Sequence, residues 1–281
     1  MYFFLFIFGL IIGSFLNVVS IRFSPGQKLF DSKIIGGRSH CLSCRKQLNW
    51  YELIPVLSFI FLRGRCLSCK KRISWQYPIV EILSGLIFVF VPYTLMANGY
   101  SLAASVIWVI IFELFLLLSV IDFRHYIIPD SINVSLAILG IILVVSKFYV
   151  LCSKFQVPSS FLGYYSNLLT FTNSIWVNHL LGLVFGLFIF GLIIFVSKGR
   201  GMGWGDFKLA GALGLILGWP NVLISFMLSF LIGGLVGIIL IIFKKKKMKE
   251  AIPFGPFLVL GATLLFFFGF QILNGYFRLF L

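Results

Sequence analysis

The sequence predicts an all-α polytopic membrane protein with about eight transmembrane helices and a small cytoplasmic domain between the first two. Three observations predict it. Of 281 residues, 60% are hydrophobic and only 11% charged, and the mean hydropathy is +1.07, too apolar for a soluble globular chain. Apolar runs of spanning length recur from end to end. One stretch alone, 21–78, is long, polar and basic.

The runs lie at about 1–20, 79–97, 102–121, 132–150, 176–196, 221–243 and 254–281. A shorter one at about 207–219 spans only if neighbours cover it. Residues 1–20 lack a basic leading region and a small-residue cleavage site, so they read as a retained first span. The expected division is therefore a first transmembrane helix at 1–20, a cytoplasmic domain at 21–78 and a membrane domain at 79–281. Orientation follows from the basic residues. With 21–78 in the cytoplasm, 20 of the 23 Lys and Arg fall inside, leaving Lys147, Lys154 and Arg278 outside, and the N-terminus lies outside. The net charge of +15 is thereby explained by topology and anionic lipid. No helix-turn-helix or aromatic-interleaved setting accompanies it, so no nucleic-acid partner is expected. The run Lys244 to Lys247 reads as a stop-transfer signal.

Within 21–78, Cys41-Leu42-Ser43-Cys44 and Cys66-Leu67-Ser68-Cys69 form two CxxC pairs with 21 residues between them. Each such turn aims two thiolates at one point, and four complete a tetrahedral site for structural Zn2+. Arg45, Lys46, Arg65, Lys70 and Lys71 favour the deprotonated thiols. Disulfide or redox use is the alternative, and a cytoplasmic setting opposes it. Cys152 reads as an ordinary small apolar residue.

Eight acidic residues serve the whole chain, and three of them, Asp122, Asp130 and Asp206, gather at the cytoplasmic boundary. Asp206 sits in the glycine-rich break Gly201-Met202-Gly203-Trp204-Gly205-Asp206-Phe207-Lys208. Glycines there let the backbone leave helical geometry, and an ionisable group at membrane depth is a functional candidate by default. A turn with Asp206 capping the next helix is the plainer reading. Asp122 follows an unbroken apolar run and projects from a helix end, where it is either simply solvated or paired. Asp130 follows Pro129 and reads as the N-cap of the fourth span. Two carboxylates in contact share one proton, the arrangement of an aspartic peptidase: the ionised partner deprotonates the attacking water and the protonated one serves the oxyanion. Asp122 and Asp206 are 84 residues apart, so only the fold can pair them. Glu113, nine residues before Asp122 on the same helix, faces the other way about 13 Å deeper and is neutral or hydrogen-bonded within the bundle.

These elements together resemble the bacterial type IV prepilin peptidases, along nearly the whole chain. The resemblance rests on Gly13-Ser14-Phe15-Leu16-Asn17-Val18 with Arg22, Arg38-Ser39 before the first CxxC, Trp50 to Pro55 with Ser58, and Arg63-Gly64-Arg65 before the second. It continues through Tyr77-Pro78-Ile79-Val80-Glu81, Asp122 to Asp130, Gly203 to Lys208 and Pro253-Phe254-Gly255-Pro256. It implies Asp122 and Asp206 as the catalytic pair, with Asp130 a motif position lacking that role. It also implies removal of a short basic leader from prepilins or pseudopilins at the cytoplasmic face of the bacterial inner membrane. Methylation of the new N-terminal residue with S-adenosylmethionine follows from the same resemblance. No glycine-rich dinucleotide-type fingerprint marks a site for that donor; Glu52, Gly64 and Glu81 are the expected residues, and Glu81 could equally pair with Lys71 or Arg72. The expected partners are prepilins and membrane lipid.

Two rivals use the same carboxylates. A cation or proton transporter with a broken helix at Gly199 to Asp206 is opposed by the cysteine pairs and by aspartates near the interface rather than the midplane. A presenilin-type intramembrane protease shares the GxGD element and has no need of the cysteine insertion.

Overall fold

Among the described residues ten α-helices follow in order from the apolar runs and the segment between the first two: α1 Tyr2–Arg22, α2 Ser32–Ile35, α3 Leu57–Phe61, α4 Gln76–Ala97, α5 Leu102–His125, α6 Asp130–Cys152, α7 Ile175–Ser197, α8 Trp204–Leu217, α9 Asn221–Ile242 and α10 Gly255–Phe280. The structure, a computed structural model, describes all residues except 28, 30, 153–160, 163–164, 166–173, 200, 245–251 and 281. The expectations for the Cys152 side chain, Lys154, Arg200 and the lysine run beyond Lys244 lie outside the described residues.

Eight of the ten match the expected spans. Among the described residues six helices, α1, α4, α5, α7, α9 and α10, are long and apolar enough to cross a membrane. In α6 the apolar part runs over Asp130–Ser146. The 14-residue α8 is about 21 Å long, short of a bilayer core. Its residues Leu209 to Leu217 are nearly all buried among neighbours, the cover that a short helix at membrane depth requires. Among the described residues no strand occurs, only two isolated antiparallel bridges in the cysteine segment.

The third span runs one turn past its expected end. Arg124 and His125 favour the carboxyl end of α5 through the helix dipole, and Tyr126 then turns left-handed at φ +56°, its N–H returning to the Asp122 carbonyl at 2.9 Å. Asp122 thus stands in the last turn of a helix. α5 is also the most buried of the spans. Trp108 and Phe112 pack from it against Phe266 and Phe267 of α10, with Trp108 and Phe266 ring centroids 4.9 Å apart, and Phe115 packs edge-on to Phe112.

α7 and α8 approach closely enough that backbone meets backbone. A Cβ on Gly182 would collide with the Gly214 carbonyl, a Cβ on Gly214 with the Gly182 carbonyl, and a Cβ on Gly186 with the Ala210 carbonyl. Small residues are the means by which helices associate where no water drives them together. This pair carries the break at Gly199 to Gly203 and the Asp206 helix that follows it.

Candidate active site

Asp122 and Asp206 come together at one end of the bundle. Asp122 is 4% exposed, and Asp206 is near enough to act on it electrostatically. A glycine N–H holds each carboxylate. Asp122 Oδ2 accepts from Gly255 N at 3.1 Å, and Asp206 Oδ2 accepts from Gly203 N at 3.3 Å. Gly255 opens α10, where the first N–H groups have no partner inside the helix and are free to bind an anion. For Asp206 the plain capping reading holds, because the residue reaches back to cap α8 from within its first turn.

Glycine is required at 255 by space. A Cβ there would lie 2.7 Å from Asp122 Oδ2, 3.1 Å from Ile128 Cδ1 and 3.2 Å from Leu118 Cδ2. Ile128 reaches the other side too, since a Cβ on Gly205 would sit 3.1 Å from its Cβ. The loop from Tyr126 to Pro129 is therefore wedged between the two glycine segments that hold the carboxylates. The N-cap expectation for Asp130 needs correction: it is the first residue of α6 and its carboxylate pairs with Lys208 Nζ at 2.7 Å. That pair is exposed, 69% and 48%, and clasps the loop to α8 from outside.

Glu113 lies 7% exposed between α5, α4 and α1. Ser84 Oγ is 2.6 Å from the Gly9 carbonyl and 2.9 Å from Glu113 Oε1. One hydroxyl hydrogen donates to one oxygen at a time, so Ser84 is shared between the Gly9 carbonyl and Glu113. The expected hydrogen bonding within the bundle is present, and Glu113 is absent from the Asp122 site.

The cysteine pairs form two copies of one knuckle. In the first, Cys41 N donates to Lys46 O at 2.9 Å and Arg45 N to Cys41 O at 2.9 Å; in the second, Cys66 N donates to Lys71 O and Lys70 N to Cys66 O, both at 3.0 Å. Arg45 and Lys70 take matching positive φ of 57° and 56°. The four sulfurs lie within 4.8 Å of one another, with Cys41 and Cys69 Sγ 3.9 Å apart. Tetrahedral zinc with bonds of about 2.3 Å places its sulfurs about 3.8 Å apart, so the donor set fits such an ion. The amides of Cys44 and then Ser43 lower the Cys41 thiol to about 6. The Lys46 amide pulls Cys44 the same way, but desolvation and the neighbouring cysteines push it up to about 11. All four are free of disulfides.

Beside the cluster lies a cavity of about 400 Å³, lined among others by Ser14, Arg22, Cys41, Glu52, Tyr77 and Glu81. Its size is that of a small-molecule site. Glu52 and Glu81 both line it: Glu52 Oε2 accepts from Asn49 N and Glu81 Oε2 from Val56 N, both at 2.8 Å, and the Ser14 hydroxyl also bonds to the Glu81 carboxylate. The pairing of Glu81 with Lys71 or Arg72 is replaced by that amide, because Glu81 is 5% exposed inside the start of α4. Gly64 is not among the lining residues. It turns the chain at φ +64° into the second knuckle, its N–H on Phe59 O at 2.8 Å. Arg22 reaches the carbonyls of Ile34, Gly36, Gly37 and Arg38, which ties the end of α1 to the chain entering the first knuckle.

Gly255 belongs to the Pro253 to Pro256 motif, and a glycine at a helix start is the sequence signal for its contact with Asp122. Ser84 carried none, being one serine in an apolar run.

Comparison with known proteins bears on the same two regions. Residues 7–95 match the bacterial peptidase A24 N-terminal domain, and residues 109–238 match the type IV leader peptidase family. A protein of Aeromonas hydrophila named prepilin leader peptidase/N-methyltransferase is 32% identical, over 98% of this chain and 93% of its own. Proteins of the same name from Bacillus subtilis and Xanthomonas campestris are 31% and 29% identical, covering 98% and 96% of this chain and 97% and 92% of theirs. No solved structure matches. The paired aspartates and the knuckles thus fall within the two matched regions, and the chain belongs to the type IV leader peptidase family.

Proposed function

We propose that this protein removes the leader from type IV prepilins or pseudopilins at the cytoplasmic face of the inner membrane and then methylates the new N-terminus. The observation that carries the reading is the approach of Asp122 and Asp206, each oriented by a glycine amide. In peptide hydrolysis the pair shares one proton. The ionised carboxylate takes a proton from water as its oxygen bonds to the scissile carbonyl carbon. The protonated one hydrogen-bonds the developing oxyanion, and the leaving amine departs with a proton as the C–N bond breaks. The bound orientation is supplied in advance, since Gly255 N–H and Gly203 N–H leave each carboxylate one oxygen for this work.

The cavity beside the cysteines is the proposed methyl-transfer site. Bound there, S-adenosylmethionine supplies an electrophilic methyl group. The carboxylates of Glu52 and Glu81 complement a sulfonium and an N-terminal ammonium, and Tyr77 adds an aromatic wall. Gly64 acts from outside, by shaping the turn. Cys41, Cys44, Cys66 and Cys69 hold structural Zn2+, which keeps the knuckles and thereby the cavity wall in place. The N-terminus lies outside, which puts both sites on the side where a basic leader resides. The transporter and presenilin-type readings lose their ground with the family assignment and the intact cysteine cluster.

Mass spectrometry of a co-expressed prepilin tests the reading, with Asp122→Asn and Asp206→Asn variants checked for membrane insertion. Leader loss plus one methyl group in the wild type, and an intact leader with either variant, is the expected result. Cleavage by either variant overturns the pair.

A further inference from the structure

The cytoplasmic segment between the spans has an apolar face that none of the chemistry above uses. Trp50 is 78% exposed, and along α3 Leu57, Ile60 and Phe61 are 52%, 61% and 80% exposed. On a domain surrounded by water such a patch would be a liability. Its position gives it another setting.

α4 has a lipid-facing stripe at helical spacing: Trp75, Ile79, Leu83, Leu86 and Phe90 are all well exposed, while Val80, Glu81 and Ser84 on the other side are buried. Trp75 heads that stripe, directly before the helix begins, and the Phe59 ring of α3 packs on it with centroids 5.0 Å apart. The patch on α3 is thus continuous with a surface that lipid already covers.

Depth follows from one hydrogen bond. Val56 N donates to Glu81 Oε2 at 2.8 Å. Glu81 stands five residues beyond the start of α4, about 7.5 Å along its axis. A helical side chain leans back toward the N-terminus by up to a turn. Val56, the residue before α3, is therefore level with the first turns of a membrane span. There the supply of water for a bare amide is poor, and the carboxylate replaces it. Val56 keeps φ +61°, unusual for a β-branched residue, at this same bond. Arg63 and Arg65, exposed just past α3, supply the charge that anionic headgroups attract.

We infer that the segment from Trp50 to Phe61 is an interfacial element, seated in the lipid headgroup and upper acyl region with Leu57, Ile60 and Phe61 facing the bilayer. The cysteine domain is then moored to the membrane surface at two sides, by the spans at its ends and by this insert. A prepilin helix is the competing occupant of an apolar face here, and the continuity with the α4 stripe together with the arginines favours lipid.

A photoreactive benzophenone side chain placed at Phe61, at Leu57 and, for comparison, at exposed Lys46 of the first knuckle reads the surroundings directly in the full-length protein. The probe is irradiated in bacterial membranes with and without co-expressed prepilin, and adducts are identified by mass spectrometry. Phospholipid adducts at 61 and 57, several-fold above those at 46, are expected with leader removal intact. Adducts to prepilin instead of lipid, or no lipid adduct at 61 in a variant that still processes prepilin, overturn the inference. If the Phe61 variant fails to process, the Leu57 probe decides by the same two outcomes. Because leader removal is measured in each variant, loss of the peptidase reading and loss of this one are told apart.

Discussion

Replacing Gly255 with alanine puts one methyl group against the carboxylate on which the proposed hydrolysis depends. The new Cβ would stand 2.7 Å from Asp122 Oδ2. Nonbonded carbon and oxygen do not rest much closer than about 3.2 Å, so one of them must move by about half an ångström. Ile128 Cδ1 at 3.1 Å and Leu118 Cδ2 at 3.2 Å close the other directions, so the carboxylate is displaced and the 3.1 Å bond from Gly255 N is stretched or lost. A hydrogen bond to a charged group contributes about 1.5–3 kcal/mol, which converts to roughly 10- to 100-fold in rate when only the reacting geometry depends on it. The overpacking itself costs about 1–3 kcal/mol of stability. Leader removal by Gly255→Ala, measured as initial rate on a detergent-solubilised prepilin, should fall by that ~10- to 100-fold, while methylation of a prepilin already cleaved by wild type is unchanged. Cleavage within about twofold of wild type would refute the role given to this amide.

Other perturbations read other parts of the molecule. Ser84→Ala removes the hydroxyl shared by Gly9 and Glu113 and should lower stability by about 1–3 kcal/mol in thermal unfolding, whereas Glu113→Gln, which retains a donor, should unfold within about 1 kcal/mol of wild type and still cleave. Asp130→Asn breaks an ion pair that water reaches on both sides, so less than about 1 kcal/mol is at stake and leader removal should persist; an intact leader would make Asp130 a member of the catalytic pair. Cys66→Ser, at a buried ligand position, should abolish bound zinc by elemental analysis and reduce methylation more than cleavage; equal losses would detach the cluster from the cavity. In metal-stripped protein Cys41 should be alkylated first at neutral pH, and its reaction should slow as pH falls through about 6. Its folded value is depressed from 9.0, so the stabilisation from that thiolate is complete above 9.0 and is lost as pH descends through about 6. Alkylation of Cys44 ahead of Cys41 would contradict the amide cradle.

Periodicity and cysteine spacing are local signals, which is why the spans and the knuckles were legible in the sequence alone. The four thiols announce their convergence by pairs three residues apart, and the apolar runs announce their length. Asp122 was placed correctly at a helix end, although the sequence stopped the helix a turn early because Arg124 and His125 look like loop and in fact complement the dipole. What stayed hidden depends on partners distant in the chain. Gly255 reaches Asp122 across 133 residues, Val56 reaches Glu81 across 25 and Lys208 reaches Asp130 across 78. For Asp130 and Glu81 the sequence offered neighbours of suitable charge or capping type, and the fold chose others because one residue is buried in a span and the other faces Lys208. The cavity proposed for methyl transfer was illegible for a further reason: it is walled by α1, the knuckles and the start of α4, and no single stretch carries its outline.

The carbonyl-to-glycine contacts of α7 and α8 have a mechanical consequence. With Gly182 and Gly214 abutting, neither helix can slide or roll against the other without driving backbone into backbone. They behave as one stiff lever, with the Asp206 carboxylate near its tip and the described ends of the Gly199 to Gly203 bend beside it. Any movement of Asp206 away from the Asp122 site to admit a peptide must therefore swing the whole lever, or bend the chain at those glycines, and a bulky residue at 182 or 214 would spread the lever apart and carry Asp206 out of register.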